Sequence, residues 1–150
     1  MIKFKKIDFD VTPYLIKLPE VLSRHPEIIA AYLFGSYASG RITPLSDVDI
    51  GYIIISDFPA KDLLDKELTI DGEISHALRT DEVECFLLNN KPVSFQYQVI
   101  STGKKIYCRD EELRASYESL IISKYLDQKY YQDLNTELFL ENLKNTYDKT

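Results

Sequence analysis

Apolar residues recur along this chain in two rhythms, and the rhythm changes at turn residues. Leu15, Leu18, Val21 and Leu22 carry the three-to-four spacing of a helix, which predicts a helix over 11–24. Pro19 lies inside that pattern, so it either kinks the helix or marks its true first turn just after Leu18. The run Ile28–Phe34 (IIAAYLF) is continuous, β-branched and aromatic, which predicts a central strand stopped by Gly35. A second strand is predicted over 47–55 (DVDIGYIII) and a mostly helical segment over 60–79, weakened at Asp71-Gly72. A third strand follows over 82–88 (EVECFLL), ended by Asn89-Asn90; 92–101 reads as a short helix or irregular turn, and 105–108 as a short fourth strand. From Asp110 onward Gly and Pro are absent. Leu113, Tyr117, Leu120, Ile121 and Tyr125, then Leu134, Leu138 and Leu143, predict a long C-terminal helix with a break near Asp133–Thr136. The sum is an α+β domain: a small mixed sheet packed by helices over about 28–108, followed by a helical segment over about 110–148.

Length and composition narrow this picture without overturning it. A chain of 150 residues suits one domain spanning 1–150, and its core needs no disulfide or metal. No apolar run approaches the roughly 20 residues of a membrane span. The first ten residues mix Lys and Asp with apolar side chains and lack the core of a signal peptide, so a cytoplasmic address is expected. Cys85 and Cys108 are expected to be buried reduced thiols, and neither His25 nor His76 has the spacing of a metal ligand. With 18 Lys+Arg against 24 Asp+Glu the chain is acidic, which argues against a nucleic-acid template as partner. A single nucleotide held through metal ions remains compatible.

One stretch carries chemistry. A strand runs into Gly35-Ser36, ten residues follow, and the next strand opens with Asp47-Val48-Asp49. Alternate residues of a strand share a face, so Asp47 and Asp49 project together roughly 6–7 Å apart. At an effective dielectric near 20 their repulsion is about 2–3 kcal/mol, before any cost of burial. Paired hard oxygens of this kind suit Mg²⁺, which takes one or two carboxylates plus substrate phosphates, and two such ions serve both oxygens of a phosphoryl transfer. Gly35 lets backbone approach a ligand, and the amides around Gly35-Ser36 suit an anion, with the Ser36 hydroxyl as a further donor. A two-metal site wants a third acid from a neighbouring strand. Glu84, set between Val83 and Cys85, is the leading candidate; Asp81 and Glu82 compete from the strand's entrance.

Gly-Ser, ten residues, Asp-x-Asp resembles the signature of the polymerase-β-like nucleotidyltransferase superfamily. The segments Leu33–Gly40 and Ser46–Ile50 resemble its minimal nucleotidyltransferases (MNT), as do Val83–Asn89, Lys105–Tyr107, Arg114 and Tyr125–Asp127. The resemblance covers about residues 15–130. It implies the polymerase-β-like fold, with Asp47, Asp49 and Glu84 as catalytic metal ligands for Mg²⁺, two ions in all. It also implies that Gly35, Ser36, Arg41 and Ser46 bind the nucleotide, ATP. Two positions depart from the family pattern: Ser39 stands where Arg or Lys is frequent, with Arg41 nearby, and Glu84 stands where Asp is usual.

Many members of that group are antitoxins of HEPN-domain ribonuclease toxins, and the implied chemistry is AMP transfer from ATP to a toxin tyrosine. The Tyr-rich C-terminal segment, with Tyr130, Tyr131, Phe139 and Tyr147, carries residue types favoured at interfaces. Two alternatives stand beside this expectation: a non-catalytic antitoxin that occludes its toxin, and a transferase acting on a small molecule. Homo-oligomerisation stays open.

Overall fold

The computed structural model describes residues 10–43 and 45–148. Most of the N-terminal stretch read above, and Pro44 of the motif loop, lie outside the described residues. Four strands, β1 (Ile28–Phe34), β2 (Val48–Ile54), β3 (Val83–Leu87) and β4 (Lys104–Cys108), form one sheet in the order β3-β2-β1-β4. β1 pairs antiparallel with both β2 and β4, and β2 pairs parallel with β3, so the sheet is mixed as expected.

Both faces are covered, which is why β1 reads as an unbroken apolar run. Val48, Ile50, Tyr52 and Ile54 of β2 join one buried cluster with Leu18, Leu22, Ile70, Ile74 and Leu78. That cluster lies under α1 (Leu18–Ser23) and α3 (Leu63–Leu78). Ala30 and Tyr32 of β1 and Ile53 of β2 turn to the other face, where they meet Leu88 and Val99. There α4 (Val93–Thr102) and α5 (Glu111–Asp148) close the core. Between Ser36 and Ser39 the chain makes a single helical turn, α2.

Pro19 lies in the first turn of α1, preceded by a 3-10 segment over Thr12–Lys17, so the proline starts the α-helix rather than kinking it. The segment after Pro92 is a helix, and α3 runs through Asp71-Gly72 without interruption. The expected break near Asp133–Thr136 is absent: α5 is continuous over 38 residues. Asp, Asn and Thr are weak helix formers, each costing only about half a kcal/mol, and without Gly or Pro there they do not stop a helix. Cys85 on β3 and Cys108 on β4 are free, half-buried thiols on opposite edges of the sheet, three strand spacings apart and beyond disulfide reach.

Polar ties fix the layers. Tyr32 OH, buried in β1, donates to Glu118 Oε1 of α5 at 2.5 Å, and Arg114 bonds Glu118 Oε2 at 2.7 Å. Tyr117 OH donates to Gln96 Oε1, and Gln96 Nε2 donates to Lys91 O at 2.8 Å, so the buried amide is satisfied at both ends. Tyr125 stacks flat on Tyr97 with centroids 3.8 Å apart. On the other face His25 lies between Lys66 and Glu73, and Lys66 Nζ reaches Glu27 Oε1 at 2.6 Å. Asn89 bonds both Ile54 N and Ile54 O at 3.0 Å, so its amide continues the ladder where β3 ends. Among the described residues no helix is long and apolar enough to cross a membrane.

Candidate functional site

The site grows from the end of β1. Gly35 adopts φ 71°, ψ −148°, a conformation side chains rarely tolerate. A Cβ there would fall inside 3.0 Å of Asp49 Oδ2 and 3.4 Å from Asp49 Cγ. Only a residue without a side chain lets β1 turn this close to the carboxylate. Ala38 N and Ser39 N both donate to Gly35 O at 3.1 Å, forming α2, and Gly40 (φ 77°) ends it in the left-handed conformation. The amides of Ser36 and Tyr37 open that turn, where helix geometry supplies no internal acceptor.

The following loop is tied to itself. Ser46 Oγ accepts from Thr43 N at 2.8 Å and lies 3.2 Å from Thr43 Oγ1, and Ser46 N donates to Thr43 O at 3.0 Å. Ser46 is buried, so its hydroxyl serves the loop that delivers Asp47 to the mouth of β2. Arg41 is exposed; its backbone N–H reaches Ser39 Oγ at 3.4 Å.

The sheet register assembles the carboxylates. β2 and β3 pair Asp49 with Glu84, and β1 and β2 pair Phe34 with Asp49. Laterally paired residues share a face, so Asp49 and Glu84 stand side by side at the same end of the sheet, on its α4 and α5 side. Val48 N donates to Glu82 O at 3.1 Å, which pins the start of β3 to the start of β2. Continued one residue outward, that register brings Glu82 level with Asp47, outside the strand itself. Asp47 and Asp49 are half-buried and Glu84 is exposed. Burial raises the Tyr37 phenol above its ordinary value, and the charges of Asp10 and Asp47 add to the rise.

A donor set of hard carboxylate oxygens, beside a cradle that a Gly35 Cβ would fill, fits Mg²⁺. As the side chains stand, no three His, Cys, Asp or Glu among the described residues close into a metal-binding group.

Next to the carboxylates lies an aromatic surface that the sequence motif does not mark. Phe34, Phe86 and Phe95 meet with centroids 5.3–5.8 Å apart, all half-buried, and Lys91 Nζ sits 5.6 Å over the Phe86 ring. Glu84-Cys85-Phe86 carried a signal for one of them, because residues two apart on a strand share a face. Phe95 and Lys91 come from the α4 region, and nothing in their own spacing joins them to β3.

The comparisons with known proteins agree with this geometry. No curated protein matches the sequence at a significant level. Solved structures share its fold. A chain of a toxin–antitoxin complex with AMP-PNP superposes with TM-score 0.66 at 21% identity, over 82% of this chain and 95% of its own. A chain from the complex of tri-AMPylated Shewanella oneidensis HEPN toxin with MNT antitoxin gives 0.62 at 19% identity, over 85% and 97%. A chain of the toxin–antitoxin pair MntA–HepT gives 0.56 at 16%, over 88% and 97%. The sequence model described as polymerase beta, nucleotidyltransferase, matches residues 16–112, a span that holds the Gly-Ser turn, both aspartates and Glu84. With fold, motif and carboxylate register in agreement, the chain belongs to the polymerase-β nucleotidyltransferase family.

Proposed function

We propose that this chain transfers AMP from ATP to a tyrosine of a HEPN-domain ribonuclease toxin, in the cytoplasm and with Mg²⁺, and so acts as that toxin's antitoxin. The observation that carries this reading is the pairing of Asp49 with Glu84 across β2 and β3, directly below the Gly35-Ser36 turn. Family membership supports nucleotidyl transfer, and the structures that share the fold include a complex with AMP-PNP and one with an AMPylated toxin.

Asp47, Asp49 and Glu84 would hold two Mg²⁺ ions, which when bound offset the negative charge of the triphosphate. The amides around Gly35-Ser36 hold phosphate oxygens, and the Arg41 guanidinium adds positive charge from the loop. The hydrogen bond from Thr43 N to Ser46 Oγ helps keep Asp47 in place. Glu84 takes the acceptor phenol's proton as the phenol oxygen bonds to the α-phosphorus and pyrophosphate leaves with the α–β bridging oxygen.

Intact mass spectrometry of toxin incubated with the chain, ATP and Mg²⁺ tests this, beside the Asp47→Ala/Asp49→Ala variant. AMP mass on the toxin with the native chain alone supports the reading; equal modification by the variant removes these aspartates from the site. One observation favours a second reading. Glu84 is exposed and one methylene longer than the family's usual Asp, which suits a chain that silences its toxin by occlusion. Neutralisation that survives loss of both aspartates would establish it.

A further inference from the structure

Three phenylalanines flank the carboxylates on the α4 side of the sheet. Phe34 on β1 is level with Asp49, and Phe86 on β3 stands two residues beyond Glu84, so both share a face with the two acids. β2 lies between their strands, which sets the two backbones roughly 10 Å apart. Their ring centroids are nevertheless 5.5 Å apart. The rings lean together over Gly51, which is level with Phe86 and carries no side chain to separate them. Phe95, from the first turn of α4, closes the triangle at 5.8 Å from Phe34 and 5.3 Å from Phe86. All three rings are half-buried, so ring surface stays open on the face that carries the exposed Glu84. Lys91 Nζ, 5.6 Å over the Phe86 ring, brings a positive charge to that surface.

An open aromatic surface favours a flat ring: offset or edge-on pairs with centroids 4.5–7 Å apart gain more than the area they bury. Two flat groups come to this end of the sheet in the proposed reaction, the adenine of ATP and the phenol of the acceptor. In-line displacement decides between them. The attacking oxygen and the departing pyrophosphate stand on opposite sides of the α-phosphorus. With the triphosphate on the Gly35-Ser36 turn at the end of β1, the acceptor arrives from the β3 side, where Glu84 takes its proton. Phe86 is one same-face step along β3 from Glu84, roughly 6–7 Å, within reach of the ring of a phenol whose hydroxyl meets that carboxylate. Adenine hangs from the α-phosphorus through the ribose, across the line of attack rather than along it. The charge of Lys91 also suits a phenol, because a nearby cation favours the phenolate that develops as the proton leaves.

We propose that Phe86 and Phe95, backed by Phe34, form the seat for the aromatic ring of the acceptor. This rests on the proposed function for the reaction itself, and adds which residues recognise the acceptor side chain. The hydroxyl of a serine or threonine at Glu84 brings no ring to this seat and gains nothing from it, so the seat selects tyrosine.

The test uses the full chain. Phe86→Leu, Phe86→Met and Phe95→Leu each remove a ring and keep apolar bulk, and Phe86→Tyr keeps the ring. Thermal melts identify the variants that fold as the native chain does. AMP transfer to the HEPN toxin is followed by intact mass at saturating ATP, the modified residue is mapped by peptide mass spectrometry, and affinity for ATP with Mg²⁺ is measured by calorimetry without toxin. The ring-free variants should bind ATP within about threefold of native and transfer AMP about tenfold more slowly, while Phe86→Tyr stays within about threefold of native in both. Native rates in the ring-free variants, or a Phe86→Tyr chain as slow as they are, overturn the seat and leave AMP transfer standing. Weakened ATP binding in the ring-free variants, with transfer restored by more ATP, assigns the rings to adenine and overturns it too. Loss of ATP binding and transfer together marks the rings as support for the carboxylates, again against the seat. AMP mapped to a serine or threonine of the toxin overturns the selection of tyrosine. A native chain that leaves the toxin unmodified removes the proposed function, and the seat falls with it.

Discussion

Replacing Gly35 by alanine separates two costs that the structure places on one residue. The first is backbone: a side chain at φ 71°, ψ −148° costs about 1–3 kcal/mol. The second is the close approach to Asp49. The new Cβ falls inside 3.0 Å of Oδ2, and ordinary contact begins near 3.4 Å, so the carboxylate must retreat by half an ångström or more. Gly40 provides the internal control. It too has a positive φ, 77°, but a Cβ there meets nothing within 4 Å. Gly40→Ala should therefore lower the unfolding free energy by about 1 kcal/mol and leave AMP transfer within about threefold of native. Gly35→Ala should lower it by about 2–4 kcal/mol and cut transfer about a hundredfold, since displacement of a catalytic group by an ångström costs on that order. Urea unfolding gives the first number and initial rates with toxin and ATP give the second. Equal rates for the two variants would refute the argument that Gly35 is there to admit Asp49.

Glu84→Gln should leave stability within about 0.5 kcal/mol, because the side chain is exposed, while initial-rate assays show transfer falling at least about a hundredfold; unchanged transfer would move the third acid elsewhere. Asn89→Ala removes both bonds to Ile54 and should cost about 1–3 kcal/mol in urea unfolding. Burial raises the Tyr117 phenol to about 12. Its neutral form is thus favoured by the folded state, and the stability this contributes is full below pH 10 and lost as pH rises toward 12. Tyr117→Phe should flatten that alkaline slope in thermal melts between pH 10 and 12. Hydrogen exchange should show fast amides from Leu126 onward in the chain alone, against protected amides at Tyr117–Ile121; protection of the whole of α5 would contradict an end of α5 that opens on its own.

What the sequence disclosed about the fold follows from what burial does to composition. β1 and β2 are buried on both faces, so apolar runs and their stopping residues mark them within a residue or two. The pattern could not decide events set by distant partners. Whether the segment after Pro92 is helical depends on Val99 meeting Leu88 and on Gln96 bonding Tyr117, contacts between stretches far apart in sequence. The expected break in α5 came from weak helix formers at Asp133–Thr136, but propensity summed over four residues is small beside the cooperativity of a long helix.

The site was legible where its residues are neighbours in sequence and obscure where the sheet assembles them. Gly35, Ser36, Asp47 and Asp49 stand within one strand–turn–strand unit, so spacing alone groups them. Glu84 was a choice among three acids, and the register now distinguishes them physically: Glu84 is paired with Asp49 inside the ladder, whereas Glu82 contributes its carbonyl to Val48 at the strand's edge. Ser46 shows the converse. Motif position suggests a ligand for nucleotide, while its buried hydroxyl is bonded to Thr43, and we propose that it acts by holding the loop that carries Asp47. A Ser46→Ala chain should then lose transfer in step with its loop order and regain none of it at saturating ATP, whereas a direct nucleotide ligand would show the loss mainly in KM. Initial rates across ATP concentrations separate the two.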